Sequence, residues 1–383
     1  MDFDDSDHEA AFRAEARAFL AASAPRSLAG AYDESVDETR LVAEAKAWQS
    51  TLFERGWAAI LWPKQWGGRG LGPVEQIIWN QELARAGLGE SIFVVGVGMA
   101  GPTLVAHGSD AHKRRFLRPM LAGEEIWCQL FSEPGAGSDL AALSARAVRD
   151  GDDWLVTGQK TWCSGAHYAD FGILLARTDP SAPKHDGITY FLLDMRSPGV
   201  EVRPLRQMTG GSHFNEVFLD GVRIPDAHRL GPEGGGWRVA MTTLLNERMA
   251  MAGLERMFSF DALAAEARRR PERVDGALRD EIGRLYGWVK TLELLNARIT
   301  TKLGRGAIPA AESSVVKLAV ARIFTKAGEV GLRLLGSEAA LRRSPWADLW
   351  LLAPSLHIAG GTDEIQKNVA AQRVLGLPRE PRA

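Results

Sequence analysis

Apolar residues in this chain recur at helical spacing near both ends and at strand spacing between them. In "HEAAFRAEARAFLAA", Phe12, Ala16, Phe19 and Leu20 line up as one stripe, as on an amphipathic helix. "LVAEAKAWQSTLFERGW" repeats the pattern until Gly56 stops it. "PVEQIIWNQELARAG" and "SDAHKRRFLRPMLAG" predict further helices, each closed by glycine. Between them "WPKQWGGRGLGP" is a loop by its Pro and Gly content, with Trp62 and Trp66 as its buried anchors.

Past residue 125 the period falls to two. "SARAVRDGDDWLVTGQKTW" predicts two alternating strands around Asp150-Gly151, a good hairpin turn pair. "FGILLART", "GITYFLLDM" and "FNEVFLDGVRIP" add strands separated by Pro, Gly and Asp. No helix-length segment interrupts them, so they predict an antiparallel β-domain and not a βαβ array.

Helical spacing returns near residue 239. "WRVAMTTLLNERMAMAGLERMFSFDALAAEA" predicts a helix running to Pro271, and "VDGALRDEIGRLYGWVKTLELLNARITTKLG" a second one. "AAESSVVKLAVARIFTKAGEVGLRLLG" ends at Gly336, and "TDEIQKNVAAQRVLG" closes the set. Four long helices with short connections suggest a bundle. The fold class is therefore α+β: an N-terminal helical domain over 1–125, a middle antiparallel β-domain over 126–238 and a C-terminal four-helix bundle over 239–383.

A chain of 383 residues can bury a large core, and 45% hydrophobic with 25% charged residues is a globular balance. A net charge of −2 offers no whole-chain attraction for nucleic acid. The basic clusters "HKRRF" and "ARRRPER" are expected to be solvated helix faces. The start, "MDFDDSDHEA", lacks the apolar core of a secretory signal, and no apolar run reaches the roughly 18 residues of a membrane span. Cys128 and Cys163 fit neither a disulfide framework nor a metal spacing, so no metal is expected and a cytoplasmic location is.

The chemistry concentrates in "WCQLFSEPGAGSDLAAL", residues 127–143. Pro134, Gly135 and Gly137 force an irregular loop rich in free amides, while Ser132 and Ser138 add hydroxyls and Glu133 and Asp139 add charge. Such a loop can wrap a polar planar ligand, or serve only as a turn.

"FSEPGAGSDLAA" resembles the signature of the acyl-CoA dehydrogenase family of flavoenzymes. The resemblance extends through "GWAAILWPKQWGGRG", "TGQKTWCSGA", "FLDGVRIP" and "AGGTDEIQKNVAAQRVLGLPRE". It implies a helical domain, a small β-domain and a helical bundle, an FAD cofactor and an acyl-CoA substrate. It also implies an electron-transfer flavoprotein as electron acceptor and a dimer or tetramer of like or unlike subunits. By resemblance Gln129, Phe131 and Ser132 would face the flavin pyrimidine through backbone amides and the Ser132 hydroxyl, Trp162 would pack on the ring system and Ser164 would lie near N5. Without the resemblance, Trp162 is a core tryptophan on a strand. Thr362 and Glu364 would approach the ribityl-phosphate part, although an ordinary capped helix explains Thr362 equally well.

Removing an α-proton beside a thioester needs a base and donors that polarise the carbonyl. Many family members carry a glutamate just before a Gly-Thr pair, where this chain has Gly360 before Gly361 and Thr362. Glycine accepts no proton, yet the Gly360 amide can still donate to the thioester oxygen. "TTLLNERMAMAG" offers Glu247 and Arg248 instead, resembling the isovaleryl-CoA and long-chain branch, which bears its glutamate on this helix. Leu244, Leu245, Met249 and Met251 would give Glu247 an apolar flank, which makes a carboxylate a better base, with Arg248 moderating the effect. An exposed Glu–Arg pair is the plain alternative. Ser138 and Arg248 are the remaining substrate-side candidates.

Homomeric relatives hold the adenosine-diphosphate half of FAD with a neighbouring subunit, through an arginine, a nearby aromatic and a Gln-x-x-Gly-Gly turn. Here Arg273 and Gly336 are present, but Gly276 replaces the aromatic, Arg333 the glutamine and Ser337 the second glycine. That departure resembles bacterial members built from paired, non-identical subunits. Two other expectations stay open: a subunit that only completes a partner's FAD site, and an oxygen-using oxidase or monooxygenase of the same fold.

Overall fold

The structure, a computed structural model, describes residues 5–28, 38–88, 91–250, 258–306, 312–341 and 344–378, without the side chains of Arg26, Arg248, Met249, Ala250 and Leu341. Helices α1 (Asp7–Ser23), α2 (Glu38–Glu54), α3 (Pro73–Arg85), α4 (Gly101–His107) and α5 (Asp110–Leu121) come first. Strands follow as β1 (Trp127–Leu130), β2 (Arg146–Asp150), β3 (Asp153–Lys160), β4 (Phe171–Arg177), β5 (Ile188–Asp194), β6 (Val200–Leu205), β7 (Phe214–Pro225) and β8 (Arg229–Leu230). The remaining helices are α6 (Gly236–Ala250), α7 (Phe260–Arg269), α8 (Gly276–Gly304), α9 (Glu312–Leu335), α10 (Glu338–Leu341), α11 (Pro345–Leu356) and α12 (Asp363–Arg373). None of the described helices is long and apolar enough to cross a membrane.

The chain divides into two compact units, one of residues 18–72 and 85–250, the other of 1–17, 73–84 and 251–383. In the first unit the sheet runs β6-β7-β3-β2-β4-β5-β8, with β1 joined to β4. Its pairings are antiparallel except β1 with β4 and a single residue pair between β2 and β4, which are parallel. The β2–β3 hairpin sets Asp150 opposite Asp153, so its two-residue loop is Gly151-Asp152, one position beyond the expected pair.

Strands β4 and β5 are buried on both faces, which explains their continuous apolar runs. Alternate residues feed two cores. Ile173, Leu175, Tyr190 and Leu192 join a cluster with α5 and α6, while Leu174, Ala176, Phe191 and Leu193 join Trp154, Val156, Val217 and Leu219. A π-helix, Val94–Ala100, leads into α4 from a Gly- and Val-rich run with no helical stripe. Trp62 is buried and donates to the Val97 carbonyl (3.1 Å), as a loop anchor should, whereas Trp66 is only half-buried.

In the second unit α7, α8, α9 and α11 enclose one core that includes Leu263, Leu285, Phe324, Val330 and Trp346. The expected unbroken helix to Pro271 does not form. Ser259 is extended (φ −112°, ψ 115°) and its hydroxyl accepts from Ala262 N, starting α7 afresh. The bundle also contains α11, absent from the expectation because "PWADLWLLAPSL" is apolar almost all round and shows no stripe. Its start was nonetheless written in sequence: Ser344 caps it and Pro345 occupies the first turn.

Candidate active site

β1 delivers the loop at 131–137, and buried charge holds that loop in shape. Glu133 and Ala136 exchange backbone bonds of 3.0 Å across the Pro134-Gly135 turn. The Glu133 carboxylate turns inward and accepts from Ser144 N (2.7 Å), Ser144 Oγ (2.8 Å), Ala145 N (2.9 Å) and Lys160 Nζ (2.8 Å). Lys160, with no exposed side-chain surface, also donates to the Phe131 carbonyl (3.1 Å). Desolvation pushes the Glu133 carboxyl up, but the Lys160 ammonium and the donated hydrogen bonds prevail and hold it below its ordinary value. Phe131 is buried edge-on against Tyr190, with 5.8 Å between centroids.

The end of β3 is tied to this loop, since Thr161 N donates to the Ser132 carbonyl (2.9 Å). Trp162 follows at φ +59°, the left-handed region, which costs a bulky residue about 1–2 kcal/mol. Its indole is 61% exposed and meets Phe214 edge-on at 5.9 Å, so it is not the core tryptophan of the plain expectation. The strained turn is fixed from behind by Cys163 N to the Asn215 carbonyl (3.0 Å) and Asn215 Nδ2 to the Cys163 carbonyl (2.9 Å). Ser132 and Ser164 are half-buried, and their hydroxyls make no hydrogen bond among the described residues. An open aromatic face on a strained, braced turn, with the Ser164 hydroxyl two residues on and the Ser132 loop tied to Thr161, suits a planar heteroaromatic ring with polar edges. The donor set thus fits a flavin. Ser138 lies exposed on the same loop and is not brought to the others.

Glu247 sits on α6 one turn beyond Thr243, and therefore on the same face. Thr243 is fully buried and bonded to Tyr190 Oη (3.1 Å) and Thr103 Oγ1 (3.0 Å). Glu247 is half-buried, and Gln129 Nε2 on β1 donates to its Oε2 (3.3 Å). Of its expected apolar neighbours, Leu244 packs on the core and Leu245 is exposed, while Met249 and Met251, like the Arg248 side chain, lie outside the described residues.

The second unit holds the remaining candidates. Thr362 caps α12, its hydroxyl accepting from Ile365 N (3.3 Å). Gly360 and Gly361 take φ of +63° and +88°, conformations that a β-carbon disfavours. The Gly360 carbonyl accepts from buried Gln366 Nε2 (2.7 Å), whereas its amide has no acceptor among the described residues. His357 braces this turn between Asp363 (2.7 Å) and Thr325 (2.9 Å), and Asp363 also pairs with Lys317 (3.0 Å). Glu364 is 76% exposed beside Lys367. Arg273 and Gly336 meet: at φ +60°, a β-carbon on Gly336 would fall 1.7 Å from Arg273 Nη1. Arg333, which replaces the expected glutamine, pairs with Glu281 (2.6 Å).

Sequence reasoning missed Lys160, the side-chain reach of Gln129, Gln366 and His357. Lys160 carried one signal, an inward position on an alternating strand.

The N-terminal domain of the acyl-CoA dehydrogenase family matches residues 6–124, its middle domain 128–222 and its C-terminal domain 234–375. The chain belongs to the acyl-CoA dehydrogenase family. It is an FAD-dependent oxidoreductase. It is 35% identical over 382 residues to acyl-CoA dehydrogenase IpdE1 of Mycobacterium tuberculosis, covering 96% of this chain and 98% of that one. Over 345 residues it is 45% identical to acyl-CoA dehydrogenase FadE34 of the same organism, covering 90% of this chain but 48% of FadE34, so it spans about half of that relative. The solved Tcur3481-Tcur3483 steroid ACAD is 30% identical, with a TM-score of 0.85 over 99% of this chain and 100% of that one.

Proposed function

We propose that this acyl-CoA dehydrogenase removes the α-proton of an acyl-CoA thioester with Glu247, forming the 2-enoyl-CoA. The supporting observation is the placement of a half-buried carboxylate on α6, held by the side chain of the strand that feeds the Ser132 loop. FAD, when bound, supplies the acceptor for the β-hydride at N5. Glu247 takes the α-proton, and the Gly360 amide donates to the thioester oxygen as negative charge develops there. Trp162 packs against the flavin ring, and Ser132 and Ser164 donate to its polar edge beside the backbone of Gln129 and Phe131. Arg273, Gly336, Thr362 and Glu364 serve its phosphate and ribityl parts, and Ser138 and Arg248 the substrate.

The acyl group belongs to the bulky class, branched, long or polycyclic. Glycine at 360 places no side chain in the loop, and a similar structure is named a steroid ACAD. The working unit is a pair of non-identical subunits in the cytoplasm, passing electrons to an electron-transfer flavoprotein. Three observations support the pairing. That similar structure is named for two polypeptides, and FadE34 is about twice as long as this chain. The second unit also exposes Tyr286, Leu294, Val315, Trp350, Leu375 and Leu377, apolar surface of the kind that subunit contacts cover.

The test is the visible spectrum of the purified protein, followed by anaerobic addition of straight-chain, branched and steroid-side-chain acyl-CoA thioesters. The expected result is a flavin spectrum bleached fastest by the bulky thioesters. A bound flavin that no thioester bleaches contradicts the assignment.

A further inference from the structure

The resemblance assigns the backbone of Gln129 to the flavin, and its side chain engages the proposed base. Along β1, Cys128 and Leu130 belong to the core on one face of the sheet and Trp127 to the core on the other. Alternation places Gln129 on the Trp127 side, the side packed by α6. There its Nε2 reaches Glu247 Oε2 at 3.3 Å. The register of α6 is pinned independently, because Thr243 is bonded to both Tyr190 and Thr103. A carboxamide N–H is a neutral donor that bonds an ionised carboxylate more strongly than a protonated one. Such a bond favours the ionised form and restricts the carboxylate's rotation.

We propose that Gln129 is a positioning residue for this reaction, holding the Glu247 carboxylate in one orientation and in its proton-accepting form. The proposal rests on the assignment of Glu247 as the base. The titratable groups on the elements packed against α6 have other engagements. His107 of α4 bonds Thr242 (2.8 Å), Tyr190 of β5 bonds Thr243, and Asp194 of β5 accepts from the Arg196 amide (2.9 Å). The π-helix carries no titratable group, and β1 carries only the buried Cys128 thiol. On α6 itself, Arg238 lies near His107 and Arg248 follows Glu247.

The experiment compares wild type, Gln129→Leu, Gln129→Glu and Glu247→Gln in the assembled flavoprotein, using the thioester that bleaches wild type fastest. It measures kcat and kcat/KM across pH, exchange of the substrate α-hydrogen with D2O, and flavin content. Losing the donor should move the acidic limb of kcat/KM up by about one pH unit in Gln129→Leu. It should move further in Gln129→Glu, where a second carboxylate opposes ionisation. α-Hydrogen exchange at fixed pH should fall in the same order, with KM and flavin content little changed. A merely structural role for Gln129 produces no such graded limb. If the limb stays put in both variants while Glu247→Gln is inactive, the role of Gln129 is refuted and the base assignment stands. If Glu247→Gln remains active, the base assignment itself fails. Gln129→Glu keeps the size and shape of the original side chain, so it carries the test should Gln129→Leu lose its flavin.

Discussion

Lys160 Nζ lies 2.8 Å from Glu133 Oε1, and the two side chains are 0% and 4% exposed. This pair sets the path of the loop between Phe131 and Gly137, because Lys160 also binds the Phe131 carbonyl. Removing one partner strands the other in the core, which costs roughly 3–5 kcal/mol. Lys160→Met should therefore lower the melting temperature by several degrees and release flavin. Adding Glu133→Gln to it should restore part of the loss, because the buried charge is removed and an amide oxygen in the Oε2 position can still accept from Ser144 N and Oγ. Denaturation curves and flavin content of the single and double variants check this. Glu133 has a depressed folded value, so its contribution is present above the ordinary carboxylate range and is lost as pH falls through that value.

Trp162 presents its indole from a left-handed backbone. Trp162→Gly relieves that strain but adds chain entropy, two terms of about 1 kcal/mol with opposite sign. The melting temperature should change little, while losing the stacking surface weakens flavin binding about tenfold or more. Fluorescence titration of the apoprotein with FAD separates the two effects. A large fall in stability with unchanged affinity would return Trp162 to a packing role.

Asp363 joins His357 and Lys317 beneath the Gly360 turn. Burial raises its carboxyl, but these two partners prevail and hold it below its ordinary value. Its stabilisation is thus present above the ordinary Asp range and disappears as pH falls through the lower folded value. Asp363→Asn should cost about 2 kcal/mol at neutral pH, with the difference from wild type closing in acid. Melting curves of both proteins across pH give the answer.

The alternation of period made the helix–sheet–helix order legible, because burying one face of an element imposes its spacing on the sequence. Where no face stays wet the signal fades. α11 is apolar nearly all round, and the π-helix at 94–100 has no stripe, so neither leaves a periodic signal in the sequence. The break before Phe260 was visible as a serine ahead of an acidic first turn, but the continuing apolar spacing outweighed it. At the site, residues on the motif loops were recognisable. Their supports were not, because the partners of Lys160 and Gln129 are chosen by strand pairing and by packing across the sheet. Gly360 is informative through what it lacks, a carboxylate, which leaves Glu247 as the acid at a family position.

On this reading the α6 carboxylate takes the proton. Anaerobic rapid mixing of Glu247→Gln with a thioester that bleaches wild-type flavin measures it directly. Glu247→Gln should hold its flavin with an unaltered resting spectrum and bleach on the order of 10³-fold or more slowly. Bleaching at a rate near that of wild type would contradict it.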